Sequence, residues 1–76
     1  MNTIIAIKLE NRIQEAIKFQ NILTKYGCNI NTRIGLHPNN DYSCNNFGII
    51  LIEVNDRVNE IFDELAKYWN VQIIKF

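Results

Sequence analysis

Four short apolar runs are interleaved with two amphipathic stretches in the order strand, helix, strand, strand, helix, strand, and the runs are apolar on both of their sides. That double-sidedness constrains the fold most. Two helices cover only one face of a four-stranded sheet, so the other face calls for a partner. The 76 residues read as a single domain spanning 1–76. A domain of this size buries only about 60% of its unfolded surface, so association through an apolar face would supply the missing burial.

Thr3 to Leu9 alternates in period two, with Ile5, Ile7 and Leu9 on one side and Ile4, Ala6 and Lys8 on the other. Asn11, followed three residues later by Gln14, is a capping box that starts a helix. Ile13, Ala16, Ile17, Leu23 and Tyr26 form its apolar stripe, which also takes in Phe19, and Gly27 is placed to end it in the left-handed conformation. Ile30 to Leu36 alternates again, Ile30, Thr32, Ile34 and Leu36 against Asn31, Arg33 and Gly35, and reads as an edge strand.

His37 to Asn46 has the composition of a long hairpin loop. Phe47 to Val54 is a nearly continuous apolar run, as expected of a central strand, with Ile50, Ile52 and Val54 opposed to Ile49, Leu51 and Glu53. Asn55 or Asp56 caps the second helix, whose stripe is Val58, Ile61, Phe62, Leu65, Tyr68 and Trp69. Its other side, with Glu60, Asp63, Glu64 and Lys67, reads as a solvated face. Asn70 closes the helix, and Val71 to Phe76 forms the last strand.

Right-handed crossovers turn this order into an α+β fold, the ferredoxin-like βαββαβ sandwich: an antiparallel four-stranded sheet of order 4-1-3-2 with two helices on one face. Ile5, Ile7, Leu9, Ile30, Ile34, Ile50, Ile52, Val54, Val71 and Ile73 are then expected to meet the helices. Ile4, Ala6, Ile49, Leu51, Ile74 and Phe76 remain on the open face, bounded by Lys8, Arg33, Glu53 and Gln72. The expected assembly is a homodimer, or a dimer of dimers, joined through that face.

Leu9-Glu10-Asn11-Arg12, Thr32-Arg33-Ile34-Gly35-Leu36-His37-Pro38 and Asn46-Phe47-Gly48-Ile49-Ile50-Leu51 carry a family likeness that spans almost the whole chain, through Asn70-Val71-Gln72-Ile73. On these segments the protein resembles the small ACT-like proteins labelled iron-only hydrogenase system regulators. That resemblance implies a ferredoxin-like domain related to ACT modules and to the carboxy-terminal domain of the nickel-responsive regulator. It also implies a regulatory, transcription-associated role and effectors bound near subunit contacts. ACT domains carry an Asp-Arg-Pro-Gly-like turn after the first strand, whereas Glu10-Asn11-Arg12-Ile13 keeps the acid and the arginine but loses proline and glycine. The expected ligand-binding residues are Arg12, Arg33, Gly35 and His37, the glycine allowing close approach of another backbone or a bulge.

His37, Cys28 and Cys44 are the only soft or borderline metal ligands and show no CxxC or HxH spacing, so no metal and no cofactor is expected. The two cysteines read as free thiols. No serine or cysteine has a histidine at useful spacing, no glycine-rich phosphate loop is present, and the arginine-bearing loop of acylphosphatases has no counterpart. The enzyme alternative is a dimeric ferredoxin-like monooxygenase with a cleft of Tyr42, His37, Tyr68 and Trp69. A further alternative is a structural protein–protein interaction module.

Phe47-Gly48 has a faint likeness to an RNA-stacking motif, but Ile49 and Leu51 are aliphatic, and a formal net charge of +0 offers no basic surface, so no direct nucleic-acid binding is expected. Met1 to Glu10 lacks the features of a signal peptide and no apolar run has the length of a membrane span, so the expected location is cytoplasmic. The expected protein is a non-enzymatic, stand-alone ACT-like sensing module. It is expected to act as a homo-oligomer whose packing a bound small-molecule effector or partner protein biases, with the output passed through a partner protein.

Overall fold

Period-two alternation with β-branched residues sets the sheet. A computed structural model of the protein describes residues 3–36 and 48–75. It contains β1 (Thr3–Leu9), α1 (Arg12–Lys25), a single 3-10 turn (Gly27–Asn29), β2 (Ile30–Leu36), β3 (Gly48–Val54), α2 (Val58–Ala66) and β4 (Asn70–Ile74). All strand pairs are antiparallel: β1 lies between β3 and β4, and β2 flanks β3. The order across the sheet is β2-β3-β1-β4, so counted from the β4 edge the strands run 4, 1, 3, 2.

Both helices cover the same face. Phe19, Ile22, Leu23 and Tyr26 of α1 and its C-cap, together with Ile61 and Leu65 of α2 and Trp69, join Ile5, Ile7, Leu9, Ile52 and Val54 in one buried cluster. Ile30, Ile50, Val58, Val71 and Ile73 pack around it. Each fully buried aliphatic side chain contributes about 1.5–3 kcal/mol relative to exposure. The seven largest, Phe19 among them, lie in the middle of this layer.

The α1 stripe differs from the expectation. Phe19, Ile22, Leu23 and Tyr26 follow i, i+3, i+4, i+7 and face the sheet, whereas Ile13 and Ile17 lie on another side and are 68% and 76% exposed. Ile22 is thus a core residue that the sequence reading left out. Gly27 does not adopt a positive φ. Tyr26 is the C-cap and the chain tightens into the 3-10 turn, so no left-handed residue is required.

Asn11 caps α1 as expected, accepting from the Gln14 N–H at 3.3 Å. The reciprocal bond comes from Glu15, whose Oε1 accepts the Asn11 N–H at 2.9 Å, rather than from Gln14. At the second helix the N-cap is Arg57, held in the left-handed region at φ 59°, and the Asp56 carboxylate accepts the Arg57 N–H at 2.8 Å. Asn70 opens β4 instead of closing α2, which ends at Ala66.

The largest departure is in β2. Ile30 pairs with Val54 but Thr32 pairs with Glu53, leaving Asn31 as a bulge. One extra residue moves every later side chain to the opposite face. Arg33 therefore lies opposite Ile52 on the helix side, and Ile34 lies opposite Leu51 on the open side, the reverse of the expected placement of both residues. The bulge is tied down by Asn55, whose Nδ2 donates to Asn31 Oδ1 at 3.0 Å and whose N–H donates to the Asn29 carbonyl at 3.0 Å.

Deleting Asn31 is expected to leave the Arg33–Ile52 pairing in place, because Thr32 already faces Glu53 and the strand only straightens. The cost is about 1 kcal/mol for the lost side-chain bond. Cross-strand nuclear Overhauser contacts check this. Arg33 paired with Leu51 in the deletion variant would contradict it.

Candidate functional site

The bulge enlarges the apolar patch on the open face. Ile4 neighbours Ile74, Ala6 neighbours Leu51, and across β3 Ile34 lies beside Leu51 and Leu36 beside Ile49. Ile34, Leu36 and Ile74 are 50%, 47% and 38% exposed, and Ile4, Ala6, Ile49 and Leu51 are half-buried. Of the expected interface residues, Ile4, Ala6, Ile49, Leu51 and Ile74 share this face, and Phe76 lies outside the described residues. Ile34 and Leu36 join them, a placement that strict alternation in β2 concealed. Thr32 and Glu53 border the patch, the threonine hydroxyl donating to Glu53 Oε1 at 3.0 Å. Lys8 stands at the other end of the strands, opposite Ile49.

On the helix side the β2 edge is incompletely covered. A cleft of about 520 Å³ opens between α1 and the sheet, walled by Leu9, Ile17, Phe19 and Ile50 with Gln20 and Arg33 at its edge. Arg33 Nη1 donates to Gln20 Oε1. Its guanidinium carbon is 5.7 Å from the centroid of the Phe19 ring, within cation–π range. The ion pairs of the described residues, Lys8–Glu10, Lys25–Glu64 and Arg57–Glu60, do not involve Arg33. Gly35 sits opposite Ile50 on the same side, and a Cβ there would meet no atom within 4 Å. Among the described residues no backbone approaches it closely.

Two carboxylates fasten the helices and are not part of a solvated face. Glu64 Oε1 accepts from the Tyr26 hydroxyl at 2.6 Å and from Lys25 Nζ at 3.0 Å, joining α2 to the end of α1. Glu15 Oε2 accepts the Trp69 indole N–H at 2.6 Å. The Tyr26 hydrogen bond, then that of Lys25, holds the Glu64 carboxyl below its ordinary value. Glu64 in turn raises Tyr26, helped by burial, and raises Lys25.

Because the folded Glu64 value lies below the unfolded one, its stabilisation is present above pH 4.5 and is lost as pH falls through the folded value. The raised Tyr26 contributes in full below pH 10.0 and loses its contribution as pH rises through its folded value. Glu64→Gln is expected to lower the melting temperature at neutral pH and to flatten its fall below pH 4.5. Thermal melts across that range check it, and an unchanged acid limb would contradict the assignment.

Arg12 opens α1 with a side chain outside the described part, and His37, Tyr42 and Cys44 lie outside the described residues. Cys28 is an exposed free thiol in the 3-10 turn. Tyr68 is 48% exposed beneath Lys18 Nζ, 3.4 Å from its ring centroid. Trp69 is buried edge-on against Phe19 at 5.4 Å. With its indole N–H engaged by Glu15, Trp69 belongs to the core. Among the described residues no three His, Cys, Asp or Glu side chains group as a metal site, and no helix is long and apolar enough to cross a membrane. No protein-family model, curated protein or solved structure matches the chain.

Proposed function

We propose that the protein is a ferredoxin-like, ACT-like regulatory or ligand-sensing module that works in the cytoplasm as a homo-oligomer, without catalysis of its own and without direct contact to nucleic acid. The observation that carries this reading is the uncovered sheet face. Seven apolar residues from four strands form one patch, and both helices lie on the opposite side.

A second copy of the chain fits this face best. Strands about 4.8 Å apart, rising about 3.3 Å per residue, make a surface of roughly 20 by 20 Å before side-chain corrugation is counted. Two such faces together give roughly 800 Å², so side-chain corrugation and the border residues supply the remainder of the about 1,200 Å² that the smallest specific dimers bury. The face is also self-complementary in charge. A two-fold axis lying across the strands places Lys8 at one end of the patch against the partner's Glu53 at the other.

Sensing then consists of an effector biasing how the two copies pack, with the output passed to a partner protein. Light scattering on the purified chain at tens of micromolar tests the assembly, and twice the monomer mass is expected. A monomer at that concentration overturns it. A dimer whose mass and melting temperature respond to no effector is instead a structural interaction module.

A further inference from the structure

The cleft between α1 and β2 has a chemical character of its own. Among the described residues its walls are mainly hydrocarbon and aromatic, its polar edge consists of amides and one guanidinium, and no acidic side chain lines it. We propose that it binds a small apolar monocarboxylate, the carboxylate on the Arg33 guanidinium and the aliphatic or aryl body against Leu9, Ile17 and Ile50. This inference rests on the ligand-sensing reading and names the effector's class.

Four observations converge on that class. The volume of about 520 Å³ falls within the range of small-molecule sites. Arg33 reaches the cleft because the Asn31 bulge turns it to the helix side. Once there, its one polar partner among the described residues is the neutral Gln20 amide, so none of those residues matches its positive charge. The Phe19 ring beside the guanidinium and the Gln20 carbonyl orient the fork without neutralising it, which suits a carboxylate held by two parallel hydrogen bonds. Finally, Gly35 adds no side chain next to Ile50, so the body of the ligand has room.

The same features reject other classes. A free amino acid would bring an ammonium group into a cleft that offers no carboxylate to receive it. A phosphate ester would bring a second negative charge to a cleft whose described lining carries one guanidinium and no lysine. A neutral amide of equal shape forgoes the charge-assisted pair, which is roughly twice as strong as a neutral hydrogen bond.

Titration calorimetry of the full chain with phenylacetate and 4-methylvalerate tests the proposal, with phenylacetamide, L-phenylalanine and inorganic phosphate as comparisons and the oligomer mass followed in parallel. Saturable binding of the two carboxylates is expected, at least about tenfold tighter than the amide or the amino acid. Arg33→Gln is expected to weaken it about tenfold or more, and Arg33→Lys by less. Gly35→Leu should block it by filling the space opposite Ile50. Backbone amide spectra show that each variant keeps the fold.

Equal affinity for phenylacetamide, unchanged affinity in Arg33→Gln, or no saturable binding of either carboxylate up to about 10 mM overturns the cleft assignment. Binding with an unchanged oligomer mass upholds the cleft and counts against sensing. Absent carboxylate binding in a dimer that another effector shifts leaves sensing standing and removes the cleft.

Discussion

Phe19→Ala is expected to remove about 3–4 kcal/mol of unfolding free energy, whereas Ile17→Ala two residues earlier should change it by no more than about 0.5 kcal/mol. Phe19 is 1% exposed and sits edge-on to Trp69, so truncation leaves a cavity at the centre of the helix–sheet layer and removes an aromatic pair. Ile17 is 76% exposed and shields little, and alanine is the better helix former. For a chain whose whole stability is on the order of 4–11 kcal/mol, the Phe19 variant loses a large share of it. Urea unfolding followed by far-ultraviolet circular dichroism distinguishes the two. Similar losses for both variants would mean that α1 is rotated about its axis.

Leu51→Asp is expected to convert the proposed dimer to a monomer and weaken association by more than about a hundredfold, because it buries an unpaired carboxylate in an apolar interface. Leu51 lies at the centre of the patch, between Ala6 and Ile34 in neighbouring strands. In the isolated chain it is only half-buried, so the charge is tolerated by the fold and the loss falls on assembly. Ile34→Asp should act in the same direction. Ile13→Asp, on the exposed side of α1, should leave the mass unchanged. Sedimentation equilibrium reads all three, and dissociation by Ile13→Asp alone would transfer the interface to the helix side.

What could be read from the sequence follows the strength of the periodic signal. β1 alternates over seven residues and β3 is a nearly continuous apolar run of a central strand, and the pairs Ile5–Ile52 and Ile7–Ile50 fall on the face expected to meet the helices. In α2, Ile61 and Leu65 stand four apart and both are buried. In α1, by contrast, Ile13 and Ile17 compete with Phe19, Ile22, Leu23 and Tyr26 for the core. Only packing against the sheet decides which set wins.

β2 misleads for a different reason. Ile30, Thr32, Ile34 and Leu36 alternate without interruption, and a bulge shifts the phase without breaking the pattern. Its cause lies 24 residues away in Asn55. The cleft and the enlarged open face were therefore hidden together, since both depend on which way Arg33 and Ile34 turn. Glu64 was misread because nothing local shows that α2 passes beside Tyr26.

The bulge also governs how this chain is to be compared with others. Counting forward from Ile30 assigns Arg33 to the wrong side, whereas counting back from β3 matches it to Ile52 and Ile34 to Leu51. A single gap misplaced near Asn31 in an alignment would exchange the cleft's cation for an apolar residue of the open face in any chain so aligned. Homologous positions in β2 are thus defined by their β3 partners, and sequence order alone inverts their chemistry.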